Sequence, residues 1–191
     1  MTQAPTKSYL SPAEYLAIER AAETRSEYLD GEMFLRESGN WWHNVILGNL
    51  IGELGSQLKG RPGPVLLTGQ RVRVLETGLY AYPDLLAVTG EARCEDEYDD
   101  TLLNPSLIFE IFSPTTEAYD RGKKFYHYRK IPTLAEYVLV SQTEPRIEQF
   151  LRQDEQHWLY TPTAGRERSV SLDSLQCELA LEGIYNKVVF S

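Results

Sequence analysis

Leu107-Ile108-Phe109-Glu110-Ile111-Phe112 is the stretch on which the fold turns. Five apolar residues in a run of six read as a strand buried on both faces of a sheet. Glu110 interrupts the run. An isolated ionised carboxylate in such a place would cost many kcal/mol, so it must be paired, protonated or bound to a metal. Pairing with a buried arginine, or a place at the wet end of the strand, is the structural alternative. Upstream, Pro83-Asp84-Leu85-Leu86-Ala87-Val88 reads as a second apolar strand with Asp84 at its head. An aspartate at a strand start is ordinarily a turn residue. Sequential strands usually lie side by side, however. Two carboxylates on neighbouring strands can converge on one hard cation such as Mg²⁺, which takes oxygen ligands. Downstream, a helix is expected from about Glu117 to Arg129, with Asp120, Lys124 and Tyr128 on one face. A solvated Asp–Lys pair is the plain alternative. Packed on the sheet, that helix would carry Lys124 towards the two carboxylates.

Working outward, Ser11-Pro12-Ala13-Glu14 has the form of a capping box, so a helix is expected from there to about Glu23. Asp30-Gly31 stands between two short apolar segments within Glu27–Leu35, a hairpin signal. Asn40 opens a second helix with an apolar stripe of His43, Ile46, Leu47, Leu50, Ile51, Leu54 and Leu58, ended by Gly60-Arg61-Pro62-Gly63-Pro64. Arg71–Leu75 alternates as a half-exposed strand should. Further strands are expected at Glu136–Val140, Arg146–Leu151 and Trp158–Thr161, and Leu179–Glu182 leads into a C-terminal turn. The order of elements predicts one α+β or α/β domain over residues 1–191, with one mixed central sheet.

Composition narrows the function classes. The 191 residues carry 19 basic and 28 acidic side chains, a net charge of −9, and the isoelectric point is about 4.9. Non-specific DNA affinity comes mainly from Lys and Arg, so the balance opposes a protein that coats phosphate backbones. The charge is uneven: six acids from Glu91 to Asp100 surround a lone Arg93, whereas Asp120–Lys130 holds five cations against Asp120. An acidic loop beside a basic helix is therefore expected. No apolar run is long enough for a membrane span, and Met1–Tyr9 lacks the form of a secretory signal. Two cysteines, Cys94 and Cys177, cannot build a disulfide framework or a thiolate metal site. A reduced cytoplasmic protein is expected. His43, His127 and His157 are too scattered for a zinc site. Ser113-Pro114-Thr115-Thr116 suits a helix cap better than a nucleophile, and no glycine-rich phosphate loop is present.

Tyr82-Pro83-Asp84, Phe109-Glu110-Ile111-Phe112-Ser113-Pro114-Thr115-Thr116 and Asp120-Arg121-Gly122-Lys123-Lys124, in that order, resemble the Uma-two family of restriction endonucleases within the PD-(D/E)XK nuclease superfamily. Tyr28-Leu29-Asp30-Gly31-Glu32, His43 and Glu136–Val140 resemble its flanking parts, so the resemblance runs from about Ser11 to Leu151. The superfamily pattern has lysine two residues after the glutamate, where Phe112 stands here; the lysine is expected at Lys124 instead. Val138 and Ser141 stand where the family often has Trp and Asp. The resemblance implies a restriction-endonuclease-like core with its central sheet flanked by helices, Mg²⁺- or Mn²⁺-dependent hydrolysis of phosphodiester bonds in DNA, and frequent homodimers. On that reading Asp84, Glu110 and the carbonyl of Ile111 hold the metal and Lys124 is catalytic. Glu32, His43 and Asp120 are further candidates, and Arg121, Lys123 and Arg129 would hold substrate phosphate. His43, on an apolar stripe, also reads as a core histidine, and Glu32 as a solvated hairpin residue. Two other readings stay open: an inactive nuclease-fold module for nucleic-acid binding or protein interaction, and a Mg²⁺-dependent phosphatase of a small phosphoester.

Overall fold

A computed structural model describes residues 9–36 and 38–190; the reading of the N-terminal segment up to Ser8 lies outside the described residues. The Ser11 hydroxyl accepts the Glu14 amide while the Glu14 carboxylate accepts the Ser11 amide, which starts helix α1 (Pro12–Ala21). The helix stops short of the expected Glu23 because the Glu19 carboxylate takes the Ser26 amide at 3.0 Å and turns the chain into β1 (Ser26–Leu29). β1 pairs with β2 (Glu32–Leu35) across Asp30-Gly31, both in positive φ, as a two-residue hairpin turn requires. Asn40 caps α2 (Trp41–Leu58), whose buried face carries His43, Ile46, Leu50, Leu54 and Leu58. Ile51 points outward, so the stripe is narrower than its sequence suggested.

Strands β3 (Val65–Leu67), β4 (Arg71–Val74), β5 (Leu79–Ala81), β6 (Leu85–Val88), β7 (Thr101–Leu102) and β8 (Leu107–Phe112) follow. Beyond a crossover come β9 (Glu136–Ser141), β10 (Arg146–Arg152), β11 (Trp158–Ala164), β12 (Ser169–Leu172), β13 (Cys177–Ala180) and α4 (Leu181–Ile184). The central sheet is mixed and six-stranded, in the order β11-β10-β9-β8-β6-β3. Only β8 and β9 run parallel within it. A parallel pair needs a crossover, and residues 113–135 supply it. A second sheet of five strands, β2-β1-β5-β4-β7, and the β12–β13 hairpin stand beside it, so the single sheet expected from sequence is joined by two others.

One face of the central sheet packs Leu107, Phe109 and Ile111 against Leu50 and Leu54 of α2 and Ile184 of α4. The other packs Leu86, Ile108 and Phe112 against the crossover residue Tyr128 and against Val72 and Val74 of β4. That second layer explains two corrections. Arg71–Val74 is almost wholly buried rather than half-exposed, because the five-stranded sheet leans on the central one. The crossover is not one α-helix over Glu117–Arg129: it is a π-helix, Tyr119–Lys124, running into a single α turn, α3 (Phe125–Tyr128). Sequence periodicity does not distinguish the two helix types over so short a span. The acidic loop is also corrected. Its Asp96 and Asp100 are paired with Arg20, Asp100 with Arg71 and Glu95 with Arg73, so it is tied to α1 and β4 rather than set beside the basic crossover.

Candidate active site

β6 and β8 are antiparallel with Leu85 opposite Phe109. One step further along that register, Asp84 stands opposite Glu110. Alternation then turns both carboxylates to the face that carries Leu86, Ile108 and Phe112, the face over which the crossover passes. Lys124, the last residue of the π-helix, reaches down from it. Its Nζ lies 3.0 Å from Glu110 Oε1, 3.4 Å from Glu27 Oε1 and 3.6 Å from Asp120 Oδ1. The Tyr128 hydroxyl donates to the same Glu110 oxygen at 3.0 Å. Glu110 is 3% exposed, and Asp84 and Lys124 are 7% exposed. They form the floor of a cavity of about 700 Å³ that opens to solvent.

Asp84 is held on both oxygens. Oδ1 accepts from Arg36 Nη2 at 2.6 Å and lies 3.0 Å from His43 Nε2, while Oδ2 accepts the Ile111 amide at 2.7 Å. Gly39 makes room for this arrangement, since a Cβ there would collide with the His43 ring. The Ile111 carbonyl accepts from Gln142 Nε2 at 3.2 Å.

The electrostatics follow from four carboxylates sharing few cations. Burial pushes the Glu110 carboxyl well above its ordinary range; Lys124 works against that, while Asp84, Asp120 and Glu27 add to it. Burial likewise raises Asp120, with Lys124 in opposition. Burial alone would lower Lys124, but Glu110, Glu27, Asp120 and Asp84 outweigh it and keep the ammonium charged. Asp84 differs: burial works upward, yet His43, the Ile111 amide and Lys124 hold it below the usual carboxylate range. The two neighbouring carboxylates are thus shifted in opposite directions, Asp84 downward by its hydrogen bonds and charged partners and Glu110 upward by burial.

The structure brings Asp84, Glu110, Lys124, Asp120 and His43 into one cluster, with Ile111 beside them and Lys123 on the cavity wall. Glu32 opens β2 opposite Leu29 and is not among the cavity-lining residues. Arg121 is bound by Glu148 at 2.6 Å and by Glu117 at 2.7 Å, away from the cavity. Arg129 is exposed beyond α3 and also outside it. Phe112, where the superfamily pattern has lysine, is buried with Arg121 and Arg146 over its ring. Glu27, Arg36 and Gln142 were missed from sequence. Glu27 shares a strand face with Leu29, an inward signal that alternation could have revealed. Arg36, just past β2, left no signal, because its partner Asp84 is distant in the chain.

A family model described as "Putative restriction endonuclease", Uma2, matches residues 12–182. The chain belongs to the Uma2 family. Two proteins of Synechocystis sp. are similar along nearly their whole length. The uncharacterized protein sll1609 is 30% identical over 171 residues, covering 90% of this chain and 97% of its own. The uncharacterized protein slr1290 is 32% identical over 181 residues, covering 95% of this chain and 94% of its own. A crystal structure of a "putative nuclease belonging to DUF820" from Anabaena variabilis superposes with a TM-score of 0.76 at 17% identity, over 93% of this chain and 98% of that one. The Uma2 chain thus has a nuclease-like fold. Among its described residues no helix is long and apolar enough to cross a membrane, and Cys94 and Cys177 are free thiols.

Restriction-endonuclease-like families generally use divalent metals, and the donors here suit one. Among the described residues no three His, Cys, Asp or Glu side chains form a complete cage. Mg²⁺ does not ask for one: it is commonly held by one or two carboxylates with waters and substrate phosphate. Asp84, Glu110 and the Ile111 carbonyl are all hard oxygen donors, and the surplus of buried carboxylates over cations favours a further positive charge.

Proposed function

We propose that this chain is a divalent-metal-dependent endonuclease that hydrolyses phosphodiester bonds of DNA. The observation that carries the reading is Lys124, a buried ammonium 3.0 Å from Glu110 on the floor of an open cavity, with Asp84 on the adjacent strand. Asp84, Glu110 and the Ile111 carbonyl would hold Mg²⁺ or Mn²⁺. Bound there, the ion supplies Lewis-acid polarisation of the phosphate and a more acidic water.

The chain's own residues do the rest. Arg36 and His43 fix the Asp84 carboxylate, Tyr128 fixes Glu110, and Gln142 orients the Ile111 carbonyl. Lys124 can donate to a phosphate oxygen or orient the attacking water from a buried position where its charge is little screened. Its carboxylate neighbours keep it protonated for that task. Lys123, on the wall, would meet an adjacent phosphate. One such site cuts one strand; severing both strands of a duplex takes two, as in a homodimer.

Plasmid and oligonucleotide nicking assays with Mg²⁺, Mn²⁺ or EDTA test the reading. Wild type should nick with either metal and not with EDTA, and Glu110→Gln should be inactive though folded. A second reading, a non-cleaving nucleic-acid-binding or protein-interaction module, is favoured by the ion pairs that engage Arg36 and Arg121. Metal-independent binding without nicking would establish it.

A further inference from the structure

The cavity has an unequal wall. Phe34 and Leu35, from the outer strand of the hairpin, are 49% and 67% exposed, and Tyr119, at the start of the π-helix, is 38% exposed. All three line the same cavity as Asp84, Glu110 and Lys124. The Tyr119 ring centroid is 5.9 Å from Lys124 Nζ. A nucleotide whose phosphate meets Lys124 would therefore lie against that ring.

The cations around the cavity are already committed. Of those that line it, Arg36 holds Asp84 and Lys124 holds Glu110. Lys123 is the lining cation left without an ion pair among the described residues. The whole chain carries a net charge of −9. Duplex DNA is bound chiefly through its phosphates, and this surface offers those little. Base stacking on aromatic side chains needs no charge and tolerates any sequence. Shape points the same way. A cavity of about 700 Å³ has the size of a small-ligand pocket. A paired, stacked duplex presents its phosphates on a rigid convex ridge, which meets the rim before the floor, whereas an unpaired strand can bend inward.

We propose that the cavity takes unpaired nucleotides, from a single strand or a flap, with Phe34 and Tyr119 as stacking platforms beside Lys124. The proposal rests on the nuclease reading and narrows its substrate class.

The test is fluorescence anisotropy of the full chain in EDTA, at low and moderate salt. The probes are a short mixed-sequence single-stranded DNA, its duplex, and RNA of the same sequence; the RNA arm reports whether the sugar matters. Single strands should bind at least about tenfold more tightly than duplex, as stacking of one or two bases would give. The salt slope should be shallower than about −2, since each phosphate contact on a single strand contributes roughly −0.7. Phe34→Ala and Tyr119→Ala should each weaken single-strand binding by about 5- to 100-fold. Phe34→Trp should preserve it, and Tyr98→Ala, at an exposed tyrosine outside the cavity, should leave it unchanged. Duplex bound as tightly as single strand, or binding insensitive to Phe34 and Tyr119, would overturn the inference. Cleavage by the wild type with Mn²⁺ separates the two ideas. Duplex cut without preference sinks the unpaired-strand inference alone, tight single-strand binding without cleavage sinks the nuclease reading alone, and neither binding nor cleavage of any probe sinks both.

Discussion

Lys124 and Lys123 adjoin in the chain and differ in every physical respect. Lys124 is buried against Glu110, Glu27 and Asp120, whereas Lys123 is exposed on the cavity wall. Lys124→Ala is expected to reduce turnover by at least about 10²-fold while retaining metal binding. Lys123→Ala should instead weaken substrate binding and reduce its salt slope. Leaving buried carboxylates unpaired costs up to roughly 3–5 kcal/mol, so Lys124→Ala is assayed with Mn²⁺ present and its fold checked by circular dichroism. Equal, mild effects from both variants would remove Lys124 from the chemistry. Gly39 carries a second prediction at this scale. A methyl group there drives the His43 ring off Asp84. Gly39→Ala should therefore lower kcat by up to about 10²-fold, the order of loss a small misplacement causes, though it touches no carboxylate. Unchanged kinetics would show that His43 does not position Asp84.

Among the elements, α1 and the acidic loop form a unit that local sequence signals kept apart. Arg20 bonds to Asp100 at 2.7 and 3.0 Å and to Asp96 at 2.7 Å, and the buried Arg71 lies 2.8 Å from Asp100. The hydrogen bonds from Arg20, first of all, hold the Asp100 carboxyl below its ordinary range. A lowered folded-state pKa stabilises above the unfolded value and loses that contribution as pH falls through the folded one. Asp100→Asn is thus expected to cost about 1 kcal/mol at neutral pH, discounted for its partial exposure. The difference from wild type should shrink below pH 3.8, the ordinary value, and vanish in stronger acid. Urea melts across that range decide it; a gap independent of pH would mean the loss is one of packing. The crossover shows how element type escapes sequence. Asp120, Lys124 and Tyr128 have α-helical spacing, yet Tyr119–Lys124 winds as a π-helix. Such turns are rare and recur at functional sites. Here the π-helix delivers Asp120 and Lys124 to the sheet side while Lys123 stays exposed.

For the molecule as a whole, the buried carboxylates outnumber the cations that face them, so a metal should bind the folded chain and stabilise it. At a metal concentration a hundred times Kd the gain is about 2.7 kcal/mol, or roughly 5–10 °C in Tm for a chain of this size. Wild type should show that rise with Mn²⁺, and Glu110→Ala and Asp84→Ala should not. Equal binding by wild type and Glu110→Ala in calorimetry would remove the metal site. The net charge of −9 belongs to this scale too. Ion pairs with Arg20, Arg71, Arg73, Arg121 and Arg146 hold part of the acidic residues, and because each pair cancels one charge of either sign, the excess of nine remains on the rest of the chain.

By itself the sequence determined the elements whose signals are local. The Ser11 capping box, the Asp30-Gly31 turn, the Asn40 cap and the apolar strands at 85–88 and 107–112 are each settled within a few residues, because hydrogen bonds and backbone preferences act at that range. Glu110 also stood out, since a charge in an unbroken apolar run must be answered. What answers it was a tertiary matter. Glu136 and Glu148 are buried strand glutamates as well, yet Glu136 is satisfied by Asp173 and Ser174 and Glu148 by Arg121 and Arg146. Of the three, Glu110 lines the cavity described above. Glu27 and Arg36 joined the site through strands paired far apart in the chain, and the short strands of the second sheet exist because they have a layer to lean on. A buried charge reveals locally that a partner is needed; which partner, and whether solvent or substrate can reach it, depends on contacts between residues that only folding brings together.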